Sequence, residues 1–145
     1  KKSDIAFQTR LSRSKDTLKE VLKFHPECKK IINDDRMIER SYGHLAGKSH
    51  QSFVREKGEA ELKVIRRSYT HAPSGGESIR QVEKRVRSFI NDLLKKMKKE
   101  KVNVAISAHG NSMRPFRRHF EHLSVQEMME LENPWDDYFE YGVNV

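Results

Sequence analysis

The sequence predicts a single α/β domain over residues 1–145, built around a mainly parallel sheet. Residues 102–108 are almost continuously apolar and include β-branched residues, which is typical of a strand buried on both faces of a parallel sheet. The clearest amphipathic helix of the chain, at residues 78–99, comes directly before this strand, and a second helical pattern follows it at residues 112–121. A buried strand between two helices favours crossover connections and therefore the α/β class.

The N-terminal part of the chain is expected to form two short strands joined by a helix. Residues 3–7 favour a strand, and residues 10–24 favour a helix with apolar residues at helical spacing. His25 ends that helix, because the residue before a proline avoids the helical region. Residues 29–32 favour the second strand, and residues 33–50 are expected to be irregular.

A further helix is expected over residues 51–69, followed by a loop at residues 70–76. Gly58 is its weak point, since glycine in a helix interior is destabilising. Its inward-facing residues are expected to be Phe53, Leu62 and Ile65.

The helix at residues 78–99 carries one apolar stripe with steps of three and four residues. Two pairs have the spacing of a capping box at its start, Ser74 with Glu77 and Ser78 with Gln81. Lysines crowd its last turn, where positive charge suits the helix dipole. The stripe consists of Val82, Val86, Phe89, Ile90, Leu93, Leu94 and Met97.

The C-terminal part is expected to add two smaller elements. Residues 124–130 favour a short helix. Residues 138–143 alternate in polarity, which favours an edge strand.

The composition is that of a polar chain that can still form a core, with 35% hydrophobic and 34% charged residues. No apolar stretch is long enough to span a bilayer, and nothing at the start resembles a signal peptide. The single cysteine, Cys28, excludes an internal disulfide framework and cysteine-based zinc sites. We therefore expect a cytoplasmic protein.

Positive charge is concentrated in the first 120 residues, which hold all 29 Lys and Arg residues. Residues 121–145 carry acidic charge only. A basic body attracts anions, and composition alone leaves nucleic acid, a membrane surface and small phosphorylated metabolites open. The chain has no basic stripe interleaved with aromatic residues of the kind that stacks bases, which disfavours nucleic acid.

Residues 104–114 form the most informative segment. A buried strand ends, a turn of small residues follows and a helix begins, and ligands of open α/β sheets bind at such places. The helix N-terminus offers N–H groups to phosphate, Gly110 permits a close approach, and His109 is expected to point into the crevice. The alternative is that His109 caps the strand end and bonds to the backbone, and the motif alone does not separate the two.

Three other segments hold candidate site residues, each with a plainer alternative. Residues 38–47 place Glu39 in a loop, where burial could make it a general acid–base, or it is part of a surface turn. Arg66 and Arg67 could clamp a carboxylate or phosphate if their helix ends there, or they belong to a solvated basic face. An arginine within residues 9–13 could reach a ligand at the end of the first strand, or it lies on the surface.

Taken together and in chain order, four motifs resemble the cofactor-dependent phosphoglycerate mutases of the histidine phosphatase superfamily. They are Glu39-Arg40-Ser41-Tyr42-Gly43-His44-Leu45-Ala46-Gly47, Arg66-Arg67-Ser68-Tyr69, Gly75-Gly76-Glu77-Ser78 and Ala108-His109-Gly110-Asn111-Ser112-Met113-Arg114. The likeness runs from about Lys2 to Leu131. It implies a three-layer α/β/α sandwich with a mostly parallel sheet, and transfer of a phosphoryl group through a phosphohistidine.

The resemblance also implies roles for individual residues. His109 corresponds to the second of two facing histidines and stabilises the charge on the transferring phosphoryl group. Arg13 matches an arginine of the phosphate pocket, and Glu39 matches the proton donor and acceptor. The positions that match substrate-binding residues are Arg40, Tyr42, Arg66, Arg67, Gly110 and Asn111.

The family's nucleophilic histidine has no counterpart in this sequence. It belongs to an Arg-His-Gly motif at the end of the family's first strand, and that motif does not occur among the 145 residues. We therefore expect the chain to begin near the family's second strand and the domain to be incomplete at its N-terminal side. His50 stands about where many mutases have a substrate-binding lysine, and Lys48 is the neighbouring candidate for that role.

The favoured function is a phosphoglycerate mutase that interconverts 3-phosphoglycerate and 2-phosphoglycerate in glycolysis and gluconeogenesis, with 2,3-bisphosphoglycerate as primer and without a metal. A histidine-type phosphomonoesterase on the same scaffold and a non-catalytic truncated relative are the alternatives. The expected partner is a small phosphorylated substrate, with neither nucleic acid nor membrane, and a homo-oligomer is compatible with the family.

Overall fold

The computed structural model describes residues 1–45, 50–134 and 137–145, apart from the side chains at positions 45, 50, 53, 56 and 57. The predictions for Lys48 and for the side chains of His50 and Phe53 lie outside the described residues.

Three short parallel strands form the sheet, and they are β1 Ile5–Gln8, β2 Lys30–Asn33 and β3 Val104–Ile106. β1 lies in the centre, so that the strand order is β2-β1-β3. In the register of the sheet, Phe7 pairs with Ile32 on one side and with Ile106 on the other. Because the strands are parallel, all three carboxyl ends lie at the same edge of the sheet.

The helices of the described residues follow the predicted order, with small shifts at their ends and with one predicted helix divided in two. They are α1 Ser12–Leu22, α2 His50–Lys57, α3 Glu59–Arg67, α4 Ile79–Glu100, α5 Gly110–Glu121 and α6 Val125–Met129. Single turns of 3-10 helix occupy Asp35–Met37 and Gly43–Leu45 within the segment that was expected to be irregular.

The two crossovers place helices on both faces of the sheet. The chain moves from β1 to β2 in one direction and from β2 to β3 in the other, so right-handed connections put α1 and α4 on opposite faces. The side chains of β1 alternate accordingly: Ile5 and Phe7 belong to the core formed with α4, whereas Ala6 faces the other way and is fully buried. The predicted three-layer α/β/α arrangement is confirmed.

The main core lies between β1 and α4. The ring of Phe7 meets the ring of Phe89 edge to face, with centroids 5.2 Å apart and an interplanar angle of 87°. The helix begins with the capping box predicted for Ser78 and Gln81, whereas the Glu77 carboxylate accepts hydrogen bonds from Arg85. The predicted apolar stripe is confirmed, with five members buried and with Leu94 and Met97 partly buried against the core.

Two predictions about strands are wrong. Residues 102–108 were expected to be buried on both faces, but β3 has only three residues and each is half-buried, since the described sheet gives it a neighbour on one side only. Residues 138–143 form no strand. Their side chains pack on α5 instead, because the ring of Tyr141 stacks on Phe120 and the guanidinium of Arg117 lies 4.0 Å from the ring centre of Phe139.

The helix expected over residues 51–69 is divided in two. Gly58 separates α2 from α3 and adopts a positive φ of 88°, which side chains other than glycine rarely allow. Of the residues expected to face inward, Ile65 is buried and Leu62 is partly buried.

Candidate active site

His109 lies at the carboxyl edge of the sheet, between the ends of β1 and β3. It comes three residues after β3 and directly before α5. Its Nε2 atom lies 2.8 Å from the Oγ1 atom of Thr9, which follows β1. The two residues are 100 positions apart in the chain, and both are buried. The structure therefore joins the ends of two neighbouring strands through a histidine side chain.

Buried hydroxyl groups hold this edge of the sheet together. The Ser14 hydroxyl accepts a hydrogen bond from the Thr9 N–H at 3.0 Å and donates one to the Ser107 carbonyl at 2.8 Å. The Ser107 hydroxyl donates in turn to the Ser14 carbonyl at 2.8 Å. Because buried polar groups without partners are destabilising, these bonds constrain the positions of β1, α1 and β3 relative to one another.

The surroundings of His109 favour its neutral form. Burial lowers the pKa of its imidazole below the ordinary value of 6.5. The Glu39 carboxylate opposes this and raises that pKa, whereas the charges of Arg13 and Arg85 lower it further. Charges of both signs therefore act on the pKa of this ring.

Glu39 lies at the N-terminus of α5. Its Oε1 atom accepts the Asn111 N–H at 3.1 Å and the Arg40 N–H at 2.9 Å. The Ser112 hydroxyl, also in the first turn of α5, donates to the Met37 carbonyl at 2.7 Å. The loop before Glu39 is thereby attached to the helix that starts at His109, and a carboxylate comes to lie beside the imidazole.

The phenol of Tyr42 also reaches α5. Its oxygen accepts a hydrogen bond from Asn111 Nδ2 at 3.3 Å. Gly43, the next residue, adopts a positive φ of 57°, and a Cβ atom at this position would lie 2.3 Å from the Ser74 carbonyl oxygen. The glycine therefore permits the loop that carries Tyr42 to pack directly against the loop before α4.

Gly110 is exposed at the start of α5, and the fold does not require a glycine there. Among the described residues, a Cβ atom would meet only the Asn133 side chain, at an ordinary distance of 4.0 Å, and the φ of Gly110 is not positive. Asn133 donates to the Gly110 carbonyl at 3.1 Å. Within the described part of the chain, this helix terminus is thus bordered by Asn133 of the C-terminal segment and leaves room for a further atom.

The predicted arginines occupy different positions. Arg13 is exposed on the first turn of α1 and close enough to His109 to lower the pKa of its ring. Arg66 and Arg67 are exposed in the last turn of α3, and within the described part of the chain no hydrogen bond or ion pair holds either guanidinium. Their contact with a ligand at His109 stays a prediction.

Arg40 is 4% exposed and its guanidinium is used inside the protein. It donates to the carbonyl oxygens of Glu77 at 2.7 Å, Ile65 at 2.9 Å and His71 at 3.1 Å. Arg40 thus ties the end of α3 and the loop after it to the Glu39 loop. Its predicted role as a substrate-binding residue is not tested by these contacts.

Sequence reasoning assigned no role to Arg85 or to the hydroxyl groups of Thr9 and Ser14. Thr9 had a readable signal, because a polar residue directly after a strand lies at the ligand edge of a parallel sheet. The signal for Arg85 was weaker: it is a charged residue three positions after the buried Val82, on a helix whose buried residues are mostly apolar.

Within the described residues, no group of three or more His, Cys, Asp or Glu side chains is arranged to hold a metal ion. The same residues include no helix that is both long enough and apolar enough to cross a membrane.

Comparison with known proteins identifies the family. Residues 1–137 match the profile of the "Histidine phosphatase superfamily (branch 1)". The chain therefore belongs to the histidine phosphatase superfamily, which confirms the resemblance inferred from the motifs.

Similar sequences include two bacterial 2,3-bisphosphoglycerate-dependent phosphoglycerate mutases. The one from Cytophaga hutchinsonii is 34% identical over 129 residues, which are 89% of this chain and 61% of that protein. The one from Chlamydia caviae is 41% identical over 104 residues, which are 72% of this chain and 46% of that protein. The chain thus spans less than two thirds of the length of these relatives.

Similar solved structures confirm the fold. A mycobacterial glucosyl-3-phosphoglycerate phosphatase superimposes with a TM-score of 0.76 at 22% identity, covering 91% of this chain and 64% of the other. A phosphoglycerate mutase from Bacillus anthracis superimposes with a TM-score of 0.65 at 17% identity, covering 81% and 59%.

Proposed function

We propose that these residues form the ligand-binding and proton-transfer part of a phosphoglycerate mutase that interconverts 3-phosphoglycerate and 2-phosphoglycerate through a phosphohistidine. The observation that carries the proposal is the meeting of three groups at the carboxyl edge of the sheet. The His109 imidazole bonds to Thr9 at the end of β1, and His109 directly precedes α5. The Glu39 carboxylate accepts the Asn111 N–H in the first turn of the same helix. The names of the similar sequences support the choice of a mutase.

The proposed site has the donors that phosphoryl transfer requires. A transferring phosphoryl group is stabilised by positioned positive groups and N–H donors more than by covalent chemistry. In our proposal Arg13 and the N-terminus of α5 hold the phosphate and His109 shares its charge, while Glu39 passes a proton to or from the substrate oxygen. Asn111 borders the same space, because its N–H donates to Glu39 and its side chain donates to the Tyr42 phenol.

The residues present fit 2,3-bisphosphoglycerate, the primer named in the similar sequences. That molecule has two phosphates and a carboxylate, which need several cationic donors. Arg13, Arg66 and Arg67 are exposed arginines without a described ion pair, and Gly110 leaves the helix terminus open. In the proposed mutase, the bound primer would supply the phosphoryl group to the nucleophilic histidine of an Arg-His-Gly segment.

Binding of 3-phosphoglycerate to the 145-residue chain tests the proposed ligand site. NMR titration is expected to shift the resonances of the His109 ring and the Asn111 amide. Gly110→Ala keeps the fold, since a Cβ atom has room there, but places a methyl group where the ligand approaches. We expect the variant to bind about tenfold more weakly or worse, as for other intrusions into a packed contact.

Gly142→Ala is the matched control, because a Cβ atom at Gly142 has room as well and meets none of the described residues within 4 Å. It should bind as tightly as the unmodified chain. Equal affinities for the Gly110 and Gly142 variants, or ligand shifts confined to residues away from α5, would contradict the proposed site.

Turnover separates the mutase from its alternatives. The 145 residues contain no Arg-His-Gly motif, so we expect this chain to bind ligand without forming acid-labile phosphohistidine. A protein that joins these residues to such a segment is expected to produce 2-phosphoglycerate from 3-phosphoglycerate in a reaction primed by 2,3-bisphosphoglycerate. Release of inorganic phosphate without isomerised product would instead identify a phosphomonoesterase.

A further inference from the structure

We propose that Arg85 is a positioning residue that, together with Glu77, holds the Glu39 carboxylate against the N-terminus of α5. The proposal rests on the proposed function, in which Glu39 transfers the proton. It concerns residues that do not themselves touch the ligand in that function.

Arg85 donates to three carbonyl groups of the loop that carries Glu39. Its Nη1 atom lies 2.7 Å from the Arg36 oxygen and 2.9 Å from the Ile38 oxygen. Its Nη2 atom lies 3.3 Å from the oxygen of Glu39 itself. One guanidinium on a rigid 22-residue helix thus fixes the main chain directly before and at the proposed catalytic carboxylate.

Glu77 orients this guanidinium and holds the other side of the loop. Its two carboxylate oxygens each lie 3.0 Å from Arg85, one from Nε and the other from Nη2. The same carboxylate accepts the Ser41 N–H at 3.0 Å, and the Glu77 N–H donates to the Ser41 carbonyl at 2.8 Å. Arg85 and Glu77 therefore bind the chain on both sides of Glu39.

The loop has little regular structure of its own, since between β2 and Ser41 it forms the single 3-10 turn at Asp35–Met37. Other side chains also hold it: Arg36 bonds to α4, and the Arg40 guanidinium bonds to carbonyl groups at and after the end of α3. Arg85 differs from these because it bonds to the main chain directly before and at Glu39. We therefore infer that α4 provides the rigid support from which the Glu39 carboxylate reaches the Asn111 N–H.

The charges around Arg85 agree with this arrangement. Its guanidinium lowers the pKa of Glu77 against the effect of burial, so the pair stays ionised near neutral pH. The side chains of Arg85 and Glu77 are 20% and 27% exposed. Partial burial and the two-point contact make this pair more rigid than an exposed surface ion pair.

The test uses the amide of Asn111 in the ligand-free chain. Because this N–H donates to the Glu39 carboxylate, the bond should slow its hydrogen exchange, and Glu39→Ala should make that exchange faster. In Arg85→Gln and in Glu77→Gln we expect the exchange of the Asn111 amide to become faster as well. Arg85→Lys keeps the charge without the planar fork and should restore the protection only in part.

Arg87→Gln is the matched control, since Arg87 is an exposed arginine on the same helix and should leave the exchange rate of the Asn111 amide unchanged. If Arg85→Gln does not fold, Arg85→Lys and Glu77→Gln provide the same measurement. An unchanged exchange rate at Asn111 in the folded Arg85 variants would overturn the proposal. The measurement needs no ligand, so its outcome does not depend on the proposed function. The proposed function is contradicted by a different result, the absence of 3-phosphoglycerate binding.

An active protein that contains these residues offers a second readout. Arg85→Lys should lower kcat on the order of a hundredfold with little change in KM, because a misplaced acid–base group affects the chemical step more than ligand binding. An equal kcat for this variant and the unmodified protein would contradict the positioning role.

Discussion

His109 illustrates how the surroundings of a single side chain set its chemistry. Its ring is buried, bonded to Thr9 and subject to the charges of a carboxylate and two guanidinium groups. Burial and the two arginines act in the same direction and Glu39 acts against them. The neutral ring can accept or donate a hydrogen bond, whereas the protonated ring only donates.

The pKa of His109 is therefore expected to lie below 6.5 in the folded chain. Arg13→Gln removes a positive charge and should raise that pKa, whereas Glu39→Gln removes the opposing negative charge and should lower it further. An NMR titration of the His109 ring measures both shifts. Arg10→Gln serves as the control, because Arg10 is exposed and faces Asp35 instead.

A shift of the same sign in the Arg13 and Glu39 variants would show that the two charges do not act on His109 as the structure places them. A shift of the His109 pKa in Arg10→Gln as large as that in Arg13→Gln would show the same.

Single residues also account for two of the motifs that carried the family resemblance. The glutamate of Gly75-Gly76-Glu77-Ser78 orients Arg85, and its serine caps α4. Gly43, within Glu39-Arg40-Ser41-Tyr42-Gly43, allows close packing against Ser74. Residues of these two motifs thus hold the loop that carries Glu39 in its position.

At the level of elements, α4 is the part of the fold that local sequence predicts best. Its apolar stripe, its capping box and its cationic end were all readable, because each depends on residues within four positions of one another. The C-terminal segment shows the opposite case. Its alternating pattern suggested a strand, but Tyr141 and Phe139 are held by side chains of α5, which a local pattern does not reveal.

The capping box of α4 predicts a measurable contribution to stability. Ser78 accepts the Gln81 N–H at 3.1 Å, and Gln81 accepts the Ser78 N–H at 2.8 Å. Ser78→Ala removes the first bond and should lower the free energy of unfolding by about 1 kcal/mol, as for other N-caps. Urea denaturation measures the change.

Asn91→Ala is a suitable control on the same helix, since Asn91 is exposed and alanine has the higher helix propensity. It should leave the unfolding midpoint unchanged or raise it slightly. A loss of stability as large as that of Ser78→Ala would argue against a specific effect of the cap.

At the level of the whole molecule, the site depends on contacts between segments far apart in the chain. Ser14 on α1 bridges Thr9 after β1 and Ser107 after β3. These three residues are buried. The same bridge brings Thr9 to His109, so the stability of the sheet edge and the geometry of the site are linked.

Ser14→Ala tests this link. It leaves the buried Thr9 N–H and Ser107 carbonyl without a partner from Ser14, which should lower the free energy of unfolding by about 1–3 kcal/mol. The resonances of the His109 ring should shift as well, because the strand ends that hold it are no longer bridged. Ser12→Ala, an exposed position on the same helix, should change neither quantity.

If Ser14→Ala destabilised the chain without any change at His109, the hydroxyl network would support the fold but not the site.

The amino-acid sequence by itself determined the α/β class, the positions of most elements and the family. These depend on local periodicity, on turn residues and on motifs whose order can be read along the chain. It also placed His109 after a buried strand and at the start of a helix, which is a local property.

Only the tertiary structure decided which polar side chains meet. The hydrogen bond between Thr9 and His109 joins residues 100 positions apart, and Arg40 is buried among carbonyl groups although its sequence neighbours suggested an open loop. The bonds from Arg85 to the Glu39 loop span 46 to 49 positions. Such partners depend on the packing of helices against the sheet, and no pattern within one segment of the chain encodes it.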